Sequence, residues 1–120
     1  MHQKYKMITI YHNPRCTKSR EGLHNIEKSK KPFQVRNYYT NLFTETELID
    51  VLHKLDIKPI ELVRTKEKIW IDNFKNKAVT DEEIIAALLI YPQLIERPII
   101  VFGKKAVIAR PLEKIKKLNL

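Results

Sequence analysis

The one cysteine of this 120-residue chain stands in the stretch Tyr11-His12-Asn13-Pro14-Arg15-Cys16-Thr17-Lys18-Ser19-Arg20. A thiol does chemistry as its thiolate, which is the nucleophile. Cys16 follows an apolar run and precedes a helix-like segment. Free backbone N–H groups and the helix dipole favour an anion at such a joint. Arg15 and Arg20 add positive charge close by. Both effects lower a thiol pKa from about 8.5 toward neutrality. The competing reading is a buried, inert cysteine that packs as a small hydrophobe. The polar neighbours Arg15 and Thr17-Lys18-Ser19 weigh against that reading, but spacing alone leaves both open.

Cys16-Thr17-Lys18-Ser19 has a hydroxyl where a redox dithiol motif carries its second cysteine. A site of this kind can attack and form a mixed disulfide but cannot resolve it internally. Ser19 can donate a hydrogen bond to the thiolate or serve as a plain first-turn serine. His12 can orient the loop, help hold Cys16 as thiolate through its own charge, or make an ordinary loop hydrogen bond. His2, His24 and His53 lack ligand spacing, so no metal site is expected. Three further arginines occupy conspicuous places. Arg64 ends an apolar segment, Arg97 precedes Pro98 and an apolar run, and Arg110 follows the last apolar run and precedes Pro111. An arginine beside a strand is costly unless it pairs, snorkels or binds something. Beside a thiolate, three of them suggest an oxyanion pocket, because guanidinium forks match tetrahedral oxyanions.

These groups need elements to position them. Met7–Tyr11, "MITIY", reads as a short strand with Ile8 and Ile10 on one face. Thr17 to about Ser29 reads as a helix with Leu23 and Ile26 inward. Phe33–Tyr38 alternates like a half-buried strand. This β-α-β order implies two parallel strands. Thr44-Glu45-Thr46-Glu47 and Thr80-Asp81-Glu82-Glu83 are capping boxes, each followed by apolar residues at helical spacing. Pro59 opens the short segment "PIELVR", and the stretch holding Trp70 and Phe74 reads as partly helical. "IIVF" and "AVIA" flank Gly103-Lys104, the pattern of an antiparallel hairpin. Pro111 suits the first turn of a closing helix with Leu112 and Ile115 inward. The expected class is α/β with a mixed sheet: β-α-β, a helical insertion, then β-β-α. The length suits a single domain over residues 1–120.

The formal net charge is +9, from 23 basic and 14 acidic residues, which favours anionic partners. The lysine clusters at 28, 30 and 31 and at 114, 116 and 117 lack interleaved aromatics. No zinc-finger or helix-turn-helix spacing occurs, so a nucleic-acid partner is not expected. With one cysteine the fold requires no oxidising compartment. No apolar run approaches membrane-spanning length, which points to a cytoplasmic protein without a membrane partner.

The quoted residues carry a resemblance. "ITIYHNPRCTKSR" is similar to the active-site loop of the ArsC-type arsenate reductases, the glutaredoxin-linked class with a thioredoxin-like fold. "LIERPIIVFGKKAVIARP" resembles that family's second signature, and "ELVRTKE" the segment that supplies a further arginine. The resemblance runs over about residues 7–118 in unbroken order. It implies that Cys16 is the nucleophile that attacks arsenate, and that Arg64, Arg97 and Arg110 hold the oxyanion. It matches His12 to the loop histidine. It implies no bound cofactor, with glutathione as co-substrate and glutaredoxin as the thiol-donor partner. Pro98 falls where thioredoxin-like folds place a cis-proline facing the cysteine. The alternative is a regulator like the sister Spx-type proteins, which share the fold and bind RNA polymerase. Those usually carry C-x-x-C near the N-terminus, and this chain has C-x-x-S.

Overall fold

The computed structural model describes residues 7–120, so His2 lies outside the described part. The chain divides into two compact units. One holds the residues up to Asn41 together with Arg97–Leu120; the other is Leu42–Glu96.

The first unit is built on strands Ile8–His12 (β1), Phe33–Asn37 (β2), Ile99–Phe102 (β3) and Lys105–Ile108 (β4). They form a mixed sheet in the order β2-β1-β3-β4. β1 and β2 run parallel, with Ile10 opposite Val35. β1 pairs antiparallel with β3, and β3 with β4, so the expected mixed sheet is present. Helix Thr17–Lys28 (α1) makes the crossover between the parallel strands. Gly103 turns the β3–β4 hairpin at φ 64°, a value glycine adopts without steric cost. Ile8, Ile10, Ile26, Ile100, Val107, Ala109, Ile115 and Leu118 form one buried cluster. Each fully buried aliphatic side chain of this kind contributes about 1.5–3 kcal/mol.

Two local expectations differ from what is observed. Alternation in β2 implied that Val35 faces inward, yet it is 45 % exposed. β2 is an edge strand of the four-stranded sheet. Pro111 is extended (ψ 163°) rather than helical, and the closing segment Leu112–Leu118 is a 3-10 helix that begins one residue later. Ile115 points into the core as expected, and Leu112 is half-buried.

The second unit is helical: Glu45–Leu55 (α2), Lys68–Asn73 (α3) and Asp81–Ile90 (α4), with 3-10 turns at Pro59–Leu62 and Pro92–Leu94. Both predicted capping boxes are formed. Thr44 accepts from the Glu47 N–H and Thr80 from the Glu83 N–H, and each glutamate closes the reciprocal bond. Val63 and Ile95 bridge the segments after the two 3-10 turns. Trp70 stacks on Phe74 with ring centroids 4.9 Å apart, which resolves that stretch as the short α3 and its C-terminal end. Among the described residues no helix is long and apolar enough to cross a membrane.

Candidate active site

The sheet of the first unit sends its chemistry to one end. His12 closes β1 directly opposite Asn37, which closes β2. β3 starts at Ile99 beside Tyr11, and β4 ends at Ile108 opposite Ile99. The Asn13–Cys16 loop, the turn after Asn37, Arg97-Pro98 and Arg110-Pro111 therefore all emerge together. Open α/β sheets bind ligands beyond the carboxyl ends of their parallel strands, and this is that end.

The loop is tied down by its own backbone. The Cys16 N–H donates to the Asn13 carbonyl (3.0 Å), and the Arg15 N–H donates to Asn13 Oδ1 (3.0 Å). The buried Ser19 Oγ accepts from the Asn13 N–H (2.9 Å) and lies 2.6 Å from His12 Nδ1, with which it shares a hydrogen bond. Ser19 thus spends its hydroxyl on holding loop and strand together. Of the two places the sequence left open for Ser19, these bonds favour the first-turn serine over a hydroxyl bond to the thiolate. His12 is buried, and its pKa is lowered by that burial and by the positive charge of Arg20, with a hydrogen bond to Ser19 acting in the opposite direction. Burial and Arg20 thus weigh against a charged His12, and its hydrogen bond with Ser19 fits a loop-orienting place.

Cys16 is the N-cap of α1, half-buried, with extended backbone (φ −97°, ψ 123°). Burial pushes its thiol up. That is outweighed by the Ser19 N–H, a hydrogen bond from the Arg97 side chain, the Lys18 N–H and the Arg97 charge, and the net pKa is lowered. The expected helix-start effect is present. The expected cations are not the ones at work. Arg20 donates to the Pro14 carbonyl (2.8 Å) and to Thr17 Oγ1 (3.1 Å) along the outside of the loop, and Arg15 is exposed. Arg97, remote in sequence, supplies the charge. Burial acts to lower the Arg97 pKa, but the hydrogen bond to Cys16 and the charges of Tyr38, Tyr39 and Cys16 raise it overall.

The Arg97-Pro98 and Arg110-Pro111 peptide bonds are both cis, the first as the resemblance implied. Pro98 is buried against α1. A Cβ placed on Gly22 would meet Pro98 Cγ at 2.8 Å, so any larger residue there would have to displace the ring or the helix. The Arg110 Nη1 reaches the Arg97 carbonyl at 3.5 Å, which brings the two arginines together. Arg64 belongs to the helical unit. There it donates to Glu67 Oε2 (3.1 Å) and lies 3.9 Å from Glu96 Oε1. Those carboxylates are the partners that a structural arginine also has.

Sequence reasoning missed Asn13, Tyr38 and Tyr39. Asn13 was readable as the Asn of an Asn-Pro loop. The two tyrosines were readable as aromatic residues just past the carboxyl end of a parallel strand. The Arg97 Nη1 donates to Tyr39 Oη at 3.3 Å, and the rings of Tyr38 and Tyr39 lie 5.2 Å apart.

Comparisons with known proteins place the chain in a family. The model of the ArsC family matches residues 11–118. An arsenate reductase of Haemophilus influenzae is 34% identical over 110 residues, covering 90% of this chain and 95% of that protein. The solved structure of the arsenate reductase from Vibrio cholerae superposes with a TM-score of 0.89 at 32% identity, covering 96% of this chain and 99% of the other. The global transcriptional regulator Spx of Streptococcus pneumoniae is 31% identical over 100 residues, covering 82% of this chain and 75% of the regulator. The thioredoxin-like α/β fold is therefore shared with arsenate reductases, and Spx is a sister protein.

Proposed function

The chain belongs to the ArsC family, and from that premise we propose that it is a thiol-dependent arsenate reductase with Cys16 as its nucleophile. The observation that carries this reading is the Cys16 sulfur at the start of α1, with the N–H groups of Lys18 and Ser19 and the Arg97 guanidinium all favouring its ionised form. A pre-ionised thiol with a guanidinium beside it suits attack on a bound oxyanion. The sulfur–arsenic bond forms, an arsenic–oxygen bond breaks, and the departing oxygen leaves as water after protonation by solvent. Two external thiols then couple to one disulfide. Their two electrons take arsenic from the +5 to the +3 state, and their two protons carry a second arsenic oxygen away as water. A water molecule then breaks the sulfur–arsenic bond, which releases arsenite and returns a proton to the Cys16 sulfur. The donors must be external because the chain has no second cysteine. Glutathione and glutaredoxin fill that role in the proposal. Arg97 and Arg110 bind the oxyanion, and the family resemblance adds Arg64 as a third arginine.

The test is steady-state arsenate reduction with glutathione and glutaredoxin, beside a reaction with thioredoxin alone. Turnover is expected in the first. Arg97→Lys keeps the charge and loses the planar fork. It should cost about 1.5–3 kcal/mol, or roughly ten- to a hundredfold in rate. A wild type without arsenate turnover that instead captures RNA polymerase overturns this proposal in favour of an Spx-like regulator.

A further inference from the structure

We propose that Tyr39 is a positioning residue whose hydroxyl holds the Arg97 guanidinium against Cys16, on a turn built for that purpose at the end of β2. The turn is over-determined. Asn37 Oδ1 accepts from the N–H groups of Tyr39 (3.0 Å) and Thr40 (3.4 Å). The Asn37 carbonyl accepts from the Asn41 N–H (2.9 Å), the Thr40 N–H (3.2 Å) and Thr40 Oγ1 (3.2 Å). Arg36 Nε closes the far side by donating to the Asn41 carbonyl at 2.8 Å. Asn37 is in register with His12, so this turn is fixed beside the loop that carries Cys16.

The turn splits its two tyrosines. Tyr38 is 1 % exposed and anchors the turn, and burial pushes its hydroxyl pKa up against the opposing charge and hydrogen bond of Arg97. Tyr39 is 37 % exposed, and its hydroxyl oxygen accepts from Arg97 Nη1 at 3.3 Å while its ring leans on Tyr38. A free arginine side chain samples many rotamers, and fixing it costs entropy at the moment of reaction. An acceptor mounted on a rigid turn settles that orientation during folding. The groups that act on Cys16 are then the Lys18 and Ser19 N–H groups and Arg97, and Arg97 is also hydrogen-bonded to Tyr38, which feels the Cys16 charge.

The hydroxyl role rests on the reductase reading only for its effect on arsenate turnover; its effect on the thiol is read without arsenate. The pH profile of Cys16 alkylation by iodoacetamide should be measured for wild type, Tyr39→Phe, Tyr39→Leu and Thr40→Ala. Tyr39→Phe keeps the ring and loses the acceptor. Its midpoint should move up, so that alkylation near pH 6 slows about two- to tenfold while the high-pH limiting rate is unchanged. Thr40→Ala, which touches the turn but not Arg97, should keep the wild-type midpoint. In the rate assay kcat/KM for arsenate should fall in Tyr39→Phe by a similar factor. A wild-type midpoint in Tyr39→Phe overturns the proposal, and so does a shift seen in Tyr39→Leu alone, which would assign the effect to the ring. If the wild type reduces no arsenate, the reductase reading fails, and the alkylation profile still decides the role of Tyr39.

Discussion

The sheet unit and the helical unit solve the same local problem in opposite ways. In the helical unit, α2 and α4 each begin with a threonine whose hydroxyl accepts the N3 backbone N–H. In the sheet unit, α1 begins with Cys16 and has no side-chain cap hydrogen bond. The N–H groups left over are those of Lys18 and Ser19, the N2 and N3 positions that a serine or threonine cap would satisfy. They act on the sulfur instead, and favour it as an anion. The same contrast runs through the cores. Among the described residues the buried polar side chains are His12, Asn13 and Ser19, all around the Cys16 loop. The buried residues of the helical unit, from Phe43 to Ile95, are apolar. Helix α1 thus begins without a side-chain cap beside three buried polar side chains. In the helical unit α2 and α4 carry full caps over an apolar core, while the short α3 begins without a side-chain cap.

The substitution expected to separate the two uses most sharply is Cys16→Ser. It should reduce arsenate turnover to background, because no other thiol exists in the chain. It also supplies a good N-cap, so urea denaturation should show stability retained or improved. The pH dependence sharpens this. The folded thiol titrates below the unfolded one, so the stabilisation it contributes is fully present above the unfolded pKa of about 8.5 and is lost as pH falls through the lowered folded value. Wild type should therefore gain stability relative to the serine variant as pH rises through that window. A flat difference would mean that the N–H groups do not act on the sulfur.

A smaller effect is expected at the back of the same helix. Gly22→Ala offers better helix propensity, by about 1 kcal/mol. Its Cβ, however, would stand 2.8 Å from Pro98 Cγ on a buried ring that follows Arg97 directly. Overpacking of this kind costs about 1–3 kcal/mol, and a net loss of stability with reduced turnover is expected. Denaturation and kinetics on one preparation would check both. A stabilised, fully active variant would show that Pro98 yields freely.

The mildest change is in the support. Thr44→Ala and Thr80→Ala should each lower unfolding free energy by about 1 kcal/mol and leave kcat/KM for arsenate as in wild type. If either threonine substitution changed the Cys16 alkylation profile, the division between supporting and chemical caps would be wrong.

Much of this was legible in the residues themselves. The β-α-β opening, both capping boxes, the glycine hairpin and the helix-start cysteine follow from local rules, because apolar period, cap chemistry and turn chemistry act over a few residues. Local rules also misled in places. They credited Arg15 and Arg20 with the thiol's charge because those arginines are near in sequence, whereas Arg20 is bonded to Pro14 and Thr17. They turned Val35 inward, because alternation does not say which strand lies at the edge.

What the sequence by itself determined is the inventory: one thiol at the start of a helix, a loop shaped by Asn13 and Pro14, and arginines beside Pro98 and Pro111. Which arginine meets the thiol was decided by the tertiary structure. Residues 16 and 97 come together because β1 and β3 pair antiparallel, so that the end of one strand lies beside the start of the other. Likewise Tyr39 meets Arg97 only because β2 pairs with β1 in the register that sets Asn37 beside His12. Electrostatic and hydrogen-bond energies depend on distance in space, and strand pairing converts long separation in sequence into contact.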